Sequence, residues 1–520
     1  MLVQYSMKKS SQNTVVATAS IVTGLSVAER ALGFLYRIVL SRLIGAEGLG
    51  VYQVALSLFA LFLTIGTGGI PITVSRMISK SKAEHRPNDG QQAISAGICL
   101  SLLLTLPIGI FLFFFGEKLG FLFSDTRTFK VFRILLIGLS FSSVYAVFRG
   151  TFWGNKQFLL PSILEIAEES VMVIFGVLLL QNVASPTIGA EKAAWAVVIS
   201  YLFSFTASLL CFLFRGGKFS NPKKQLKPLF NATMPITSVR ASGSLVNSAV
   251  AVLLPVMLIR AGMNNNNAIS LFGIVSGMVL PILFIPSTVI GSLALVLVPE
   301  LSEDFYRKNY KRLQKNLERG LTFTFLFACA LIPFFGALGD DLGRIAFSNA
   351  QAGEMIAKSS LLLLPMSLTM ISTSMLNSMG FEKQTFLFYF VGAAMLILCV
   401  LLLPSICGIY AYLIGLGLSF LATALCNLIF LIKKCPIFQK RWGQVCIHGI
   451  FPALLLMVPI TFFGLLCNAI LSRFMGAGLM LLLATILMAA LTFALYLAVS
   501  LLRLKDIKFR FPKTNKKQNN

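Results

Sequence analysis

The sequence predicts an all-α polytopic membrane protein of about 14 transmembrane helices, built as two parallel six-helix bundles plus two extra C-terminal helices. Three observations carry this. Of 520 residues, 57% are hydrophobic and only 12% are charged, and the mean hydropathy is +0.84, more than a water-soluble fold accommodates. The apolar residues fall in runs of roughly 20, the length that crosses a bilayer as a helix. Short motifs also recur at offsets of 223 to 227. The composition excludes a cytosolic enzyme, a disordered regulator and a secreted disulfide scaffold.

Taken in order, the apolar runs predict spans at 14–40, 50–75, 91–115, 131–150, 160–181, 192–214, 231–261, 268–298, 320–338, 358–378, 384–404, 408–432, 447–468 and 477–502. Lys8 and Lys9 precede the first run, which lacks a small-residue cleavage site, so no signal peptide is expected. The basic residues set the orientation. Lys and Arg number 44 against 19 Asp and Glu, a net +25. With the N-terminus inside, the inner segments collect Arg76, Lys80, Lys82, Arg86, Arg149, Lys156, the run Arg215 to Lys227, and Arg307 to Arg319. Lys433, Lys434 and the tail from Arg503 to Lys517 join them, while the outer side holds few, among them Arg42, Lys118 and Arg127. This is the positive-inside pattern, with both termini cytoplasmic. The excess charge is therefore topogenic, and no nucleic-acid partner is expected. In the longer inner loop, 299–319, the spacing of Glu300, Glu303 and Asp304 before basic residues predicts an amphipathic interfacial helix.

Asn155-Lys156-Gln157 after span 4 echoes Glu382-Lys383-Gln384 after span 10, an offset of 227 (383 − 156). Leu119-Gly120 with Phe123-Ser124 echoes Leu342-Gly343 with Phe347-Ser348. Six helices separate the copies, so both insert in the same sense and the repeat is parallel. The expected division is an N-terminal lobe 1–220, a C-terminal lobe 221–440, two extra spans in 441–505 and a basic cytoplasmic tail 506–520. A substrate path between two such lobes opens to each side in turn when they rock.

Seven ionisable residues inside spans stand out: Glu29, Arg30 and Arg37 in the first, Glu165, Glu168 and Glu169 in the fifth, and Arg240 in the seventh. Facing lipid, they would together cost on the order of 20 kcal/mol. They must face water, pair internally or snorkel. Arg30 and Arg37, two turns apart, share a face. Glu165, Glu168 and Glu169, spaced i, i+3, i+4, form an acidic stripe, and Glu29 is a candidate internal partner. One reading has Arg30, Arg37 and Arg240 lining a cationic cavity for a phosphate or pyrophosphate, whose oxygens match the guanidinium fork. Another has the arginines only neutralising the span-5 carboxylates. A third has an acidic cavity taking a cationic drug or a coupling ion. Pro71 in span 2 and Pro281 and Pro286 in span 8 are candidate bending elements.

There is no GxxxxGK[ST] phosphate loop, and His85 and His448 do not suggest a metal pair. The Cys residues lie in apolar runs without ligand spacing, so no metal or cofactor is expected. Asp340-Asp341 and Asn264 to Asn267 read as polar turns in outer loops. A membrane-embedded glycosyltransferase or polymerase, the enzyme alternative, needs an accessible base or metal-binding carboxylate, usually with a large outer loop; the short outer loops argue against it.

Glu29-Arg30-Ala31-Leu32-Gly33-Phe34, Arg37, Arg42-Leu43-Ile44-Gly45 and Gly48-Leu49-Gly50-Val51-Tyr52-Gln53 together resemble the first helix and loop of polysaccharide-type exporters of the MOP superfamily. The likeness is strongest to the branch of sporulation stage V exporters and MurJ-type lipid II flippases, and it extends over nearly the whole chain. It implies a monomeric flippase, not an enzyme, for an undecaprenyl-pyrophosphate-linked saccharide, foremost lipid II for peptidoglycan or spore cortex, in a bacterial cytoplasmic membrane. Arg30, followed by Leu-Gly-Phe, matches one cavity arginine of that branch, and Arg37 is displaced by one residue from a second. The last two spans correspond to helices that form a groove for the lipid tail. Glu168 resembles an acidic position common in the sporulation branch. A multidrug or cation antiporter of the same fold is the alternative transporter.

Overall fold

The fold is taken from a computed structural model that describes residues 2–118, 125–181, 183, 185–434 and 462. Every long apolar run in this range is a helix, as a chain that must satisfy its own backbone in lipid requires. The predicted spans 447–468 and 477–502 and the tail 506–520 lie outside the described residues, apart from Phe462.

The first helix, α1 (Leu2–Thr67), is one helical record broken at Gly45, whose φ of 69° and ψ of −176° leave the helical region. Spans 1 and 2 are therefore the two arms of α1 meeting at this glycine. The second arm breaks again at Gly68-Gly69 and continues as α2 (Ile70–Ala83) with Pro71 in its first turn. Then come α3 (Pro87–Phe115), α4 (Thr126–Gly154), α5 (Leu159–Leu179), α6 (Pro186–Phe214) and α7 (Lys223–Arg260). Span 8 is segmented into α8 (Asn265–Gly273), a π-helical turn Ile274–Val279, α9 (Leu280–Phe284) and α10 (Ser287–Tyr306). After it run α11 (Tyr310–Phe347), α12 (Ala350–Lys358), a 3₁₀ turn, α13 (Leu363–Ser378), α14 (Glu382–Leu402), α15 (Pro404–Cys407) and α16 (Tyr410–Lys434). Ten helical stretches among the described residues are long and apolar enough to cross a membrane. Dividing α1 at Gly45 and adding α5, which its three carboxylates keep out of a hydropathy window, accounts for the twelve predicted spans in this range.

The helix starts reveal the repeat. Those of α3 and α11 are 223 residues apart (87 and 310), α4 and α12 224 (126 and 350), α5 and α14 223 (159 and 382), and α6 and α16 224 (186 and 410). Upstream the spacing is 217. Gly45 and Gly262 both have positive φ, and the breaks at Gly68 and Ile285 follow each by 23 residues. Turn chemistry agrees. The chain leaves α2 and α10 through left-handed His85 and Lys308, and leaves α4 and α13 through left-handed Lys156 and Gly380. In all four turns the next residue's N–H reaches back to a carbonyl five residues earlier, closing a Schellman motif. Asp125 and Asn349 cap α4 and α12, accepting from Arg127 N and Ala352 N.

This register corrects the tripeptide match. Asn155-Lys156-Gln157 is the turn itself, whereas Glu382 to Gln384 form the first turn of α14, three residues too late. The second echo involves residues 119–124, outside the described range. Three further expectations change. Residues 299–319 form no separate interfacial helix: they complete α10, turn at 307–309 and begin α11, held by Asn316 donating to Asp304 at 3.0 Å. Asp340 and Asp341 lie inside α11, and Asn265 to Asn267 open α8 with Asn264 as N-cap.

By packing, one compact unit runs to Pro281 and takes in Ala393–Leu418; a second comprises Ile282–Gly392 and, among the described residues, the rest of α16 from Ser419. Thus α7 and α8, which open the second copy by sequence, pack with the first copy's helices. In the first unit a core of Ile70, Val74, Val147, Phe148, Phe212 and Leu229 joins α2, α4, α6 and α7. In the second, Ile290, Leu301, Leu317, Leu321, Ile371 and Met375 join α10, α11 and α13.

Candidate functional site

The predicted cavity residues, with Pro71 and Pro281, lie in the first unit, and Pro286 in the second. Gly33 lets α5 approach α1: a Cβ there would stand 2.6 Å from Glu169 Oε1. Two turns on, Gly176 of α5 does the same for the Tyr36 ring, 2.5 Å from where its Cβ would be. These two small residues bring the acidic stripe of α5 against the face of α1 that carries Glu29 and Arg37.

The stripe is completed from α4. Arg149 Nη1 pairs with Glu165 Oε1 at 3.1 Å, and the Arg149 guanidinium lies 5.2 Å from the Trp153 ring centroid. Arg149 was expected among the inner loop charges; it sits inside α4, which continues to Gly154. Glu29 lies within electrostatic reach of Glu165, Arg30 and Arg149. Glu169 is similarly placed toward Glu29 and Arg37. Glu168 reaches the Ser204 hydroxyl of α6. The buried Tyr145 ring and the half-buried Tyr201 ring close the group from α4 and α6.

The structure thus gathers Glu29, Arg30, Arg37, Glu165, Glu168 and Glu169, together with Arg149, which sequence reading missed. Arg30 is exposed and Arg37 half-buried. Among the described residues neither closes an ion pair, whereas Arg149 does. Arg149 Nε and the Tyr145 hydroxyl, both buried, have no hydrogen-bond partner among the described residues. Buried donors of this kind are costly unless an acceptor arrives.

Arg240 stands apart. It is exposed on α7, between Thr237, which accepts from Gly69 N at 3.0 Å, and Ser244, 2.8 Å from Thr64. That puts it beside the break between α1 and α2, where Pro71 begins the next turn; Pro286 stands at the corresponding break before α10, and Pro281 lies in α9. Among the described residues no group of three His, Cys, Asp or Glu side chains is placed to hold a metal ion.

A second polar group forms at the Gly45 end of the unit. Arg127 of α4 binds Asp125 through Nε and Nη2, pairs with Glu47 just past the α1 break, and donates to Asn266 of α8 at 2.9 Å. Asn265 donates to Asp125 at 2.8 Å. Asp125 lies just outside the span. Burial works to raise its pKa, but the hydrogen bonds and charge of Arg127, with help from Asn265, win and hold the carboxyl below its ordinary value.

Several known proteins are similar. Stage V sporulation protein B of Bacillus subtilis (strain 168) is 26% identical over 362 residues, covering 66% of this chain and 69% of that protein. Lipid II flippase MurJ of the same organism is 26% identical over 334 residues, covering 58% and 60%. Among solved structures, lipid II flippase MurJ in an inward closed conformation aligns with a TM-score of 0.65 at 16% identity, over 93% of this chain and all of that one. An inward-facing multidrug resistance MATE family transporter of the MOP superfamily aligns with a TM-score of 0.67 at 13% identity, covering 79% and 96%. These likenesses establish a multi-pass membrane protein with the fold of that superfamily. The profile of the family described as "Polysaccharide biosynthesis protein" matches residues 15–305, which take in both polar groups described above, and the chain belongs to that family.

Proposed function

We propose that the protein is a flippase that carries an undecaprenyl-pyrophosphate-linked saccharide, foremost lipid II, across the bacterial cytoplasmic membrane by alternating access. It works as a transporter and not as an enzyme, as a monomer with both termini in the cytoplasm. Support comes from the family membership and from the names of its relatives, a lipid II flippase and a sporulation protein. The single observation that carries the reading is local: Arg30 and Arg37 stand on one face of α1 and close no ion pair among the described residues, while Glu165 of α5 is paired with Arg149 of α4. Two uncommitted guanidinium groups at membrane depth suit a diphosphate, whose oxygens each fork can bind in pairs. Arg240, beside the break in the second arm of α1, is proposed to meet the headgroup farther along, with Pro71, Pro281 and Pro286 absorbing the bending. Spans 447–468 and 477–502 are proposed to hold the polyprenyl tail.

The test is reconstitution with lipid II. Arg30→Ala is expected to lose flipping while the protein still inserts and purifies normally. Unchanged flipping would remove the cavity argument. The four carboxylates favour one second reading, antiport of an organic cation. Uptake of a cationic dye into vesicles, abolished by Glu168→Gln while lipid II stays unmoved, would establish that reading instead.

A further inference from the structure

We propose that the seam between α3 and α4, at the end marked by Asp125, is a binding site for the phosphate of an anionic glycerophospholipid, held by Arg133 with Lys130. Arg133 is seven residues into α4, about 10 Å below its start, the depth of the headgroup and acyl boundary. Its guanidinium stacks over the Phe113 ring of α3, 4.3 Å from the centroid. Stacking occupies one face and leaves the rim donors unspent. Nε is buried without an acceptor, and Arg133 closes no ion pair among the described residues.

The contrast with Arg127 two turns away is instructive, because that guanidinium is fully engaged by Asp125, Glu47 and Asn266. Arg133 has no such carboxylate among the described residues. Lys130, Arg133 and Ile137, spaced i, i+3, i+7, share one face of α4. Lys130 and Ile137 at its two ends are exposed, as are Ile110, Phe111, Phe114 and Phe115 on α3. Apolar exposure of that kind is where acyl chains lie, with two cations at the level of their phosphates. Lys118 adds a third near this end, 5.8 Å from the Phe115 centroid. The predicted topology puts this basic patch on the outer side, where the positive-inside rule leaves no reason for it. A lipid phosphodiester matches the whole arrangement: bidentate oxygens for the guanidinium fork, a second cation beside it, and aromatic and aliphatic surface below.

The full-length protein is reconstituted in equimolar phosphatidylglycerol and phosphatidylcholine, extracted gently, and its retained lipid quantified by mass spectrometry. Wild type should retain phosphatidylglycerol in preference. Arg133→Gln should lower that preference about fivefold, and Lys130→Gln, an exposed substitution that does not disturb packing, should lower it in the same direction. Arg133→Lys should fall between, and Lys80→Gln at the other end of the unit should leave it unchanged. Should Arg133→Gln fail to fold, Lys130→Gln and Arg133→Lys decide the matter. Wild-type preference in both of those variants would overturn the proposal. So would loss of bound phosphatidylglycerol to millimolar inorganic phosphate, which would mark a free-anion site.

Discussion

A guanidinium at position 149 decides what its acidic neighbours can do. Pairing it with Glu165 occupies that carboxylate, while Glu169 still faces Arg37. With both side chains only about a quarter exposed, removing one partner alone leaves a charge half-buried. Arg149→Gln is therefore expected to destabilise by about 1–3 kcal/mol, and Glu165→Gln added to it should recover much of the loss in a double-mutant cycle read by thermal unfolding. Gly33→Ala puts a methyl against the end of the Glu169 side chain, which must turn aside; flipping should fall at normal expression, and an unchanged rate would show that the position of the Glu169 carboxylate does not matter for transport. Much of this site was legible beforehand, since intramembrane charges are expensive and conspicuous: Glu29, Arg30, Arg37 and the α5 stripe stood out at once. Arg149 and Arg133 did not. Arg149 lies close enough to the end of an apolar run to pass for a topogenic charge, and neither proximity nor hydropathy says which face of a helix a residue occupies.

Helix ends supply what spans leave out. The tie between Arg127, Asp125, Glu47 and Asn265 to Asn266 binds the α1 break, the start of α4 and the start of α8 into one corner. Because the Asp125 carboxyl is held below its ordinary value near 3.8, its stabilising share is fully present above that pH and is lost as pH falls through the lower folded value. Thermal unfolding at pH 7 and pH 3 should thus differ less in Asp125→Asn than in wild type. At neutral pH that variant should be less stable by on the order of 1–2 kcal/mol. Gly45 holds a left-handed φ that an L side chain adopts only at a cost of about 1–2 kcal/mol. Gly45→Ala should lower thermal stability accordingly, although a methyl there meets nothing within 4 Å. The repeat teaches a related lesson about reading sequence. A tripeptide match at 227 found the right helices but the wrong register, because side-chain letters drift while the turn connecting two helices must keep its left-handed residue and its capping bonds. His85 and Lys308, or Lys156 and Gly380, share no letter yet perform one task.

The described residues follow a duplicated six-helix plan carried by hydropathy and basic loops, and those were the parts most open to sequence reading. Orientation is a prediction at this scale. In a cysteine-free background, Lys118→Cys should react with an impermeant maleimide from outside intact cells, and Lys308→Cys only after lysis. The reverse pattern would invert the topology. What composition could not disclose is how the copies share their packing. The opening helices of the second copy, α7 and α8, are built into the first unit, together with the stretch Ala393–Leu418. A gene cut between the copies, near Gly216 and Gly217, would therefore yield an amino-terminal fragment missing a wall and a carboxy-terminal fragment carrying the missing wall. Neither fragment should be a self-sufficient ancestor, and activity from such a split should return only on co-expression. Packing that crosses the sequence boundary would thus bind the two copies to a single gene.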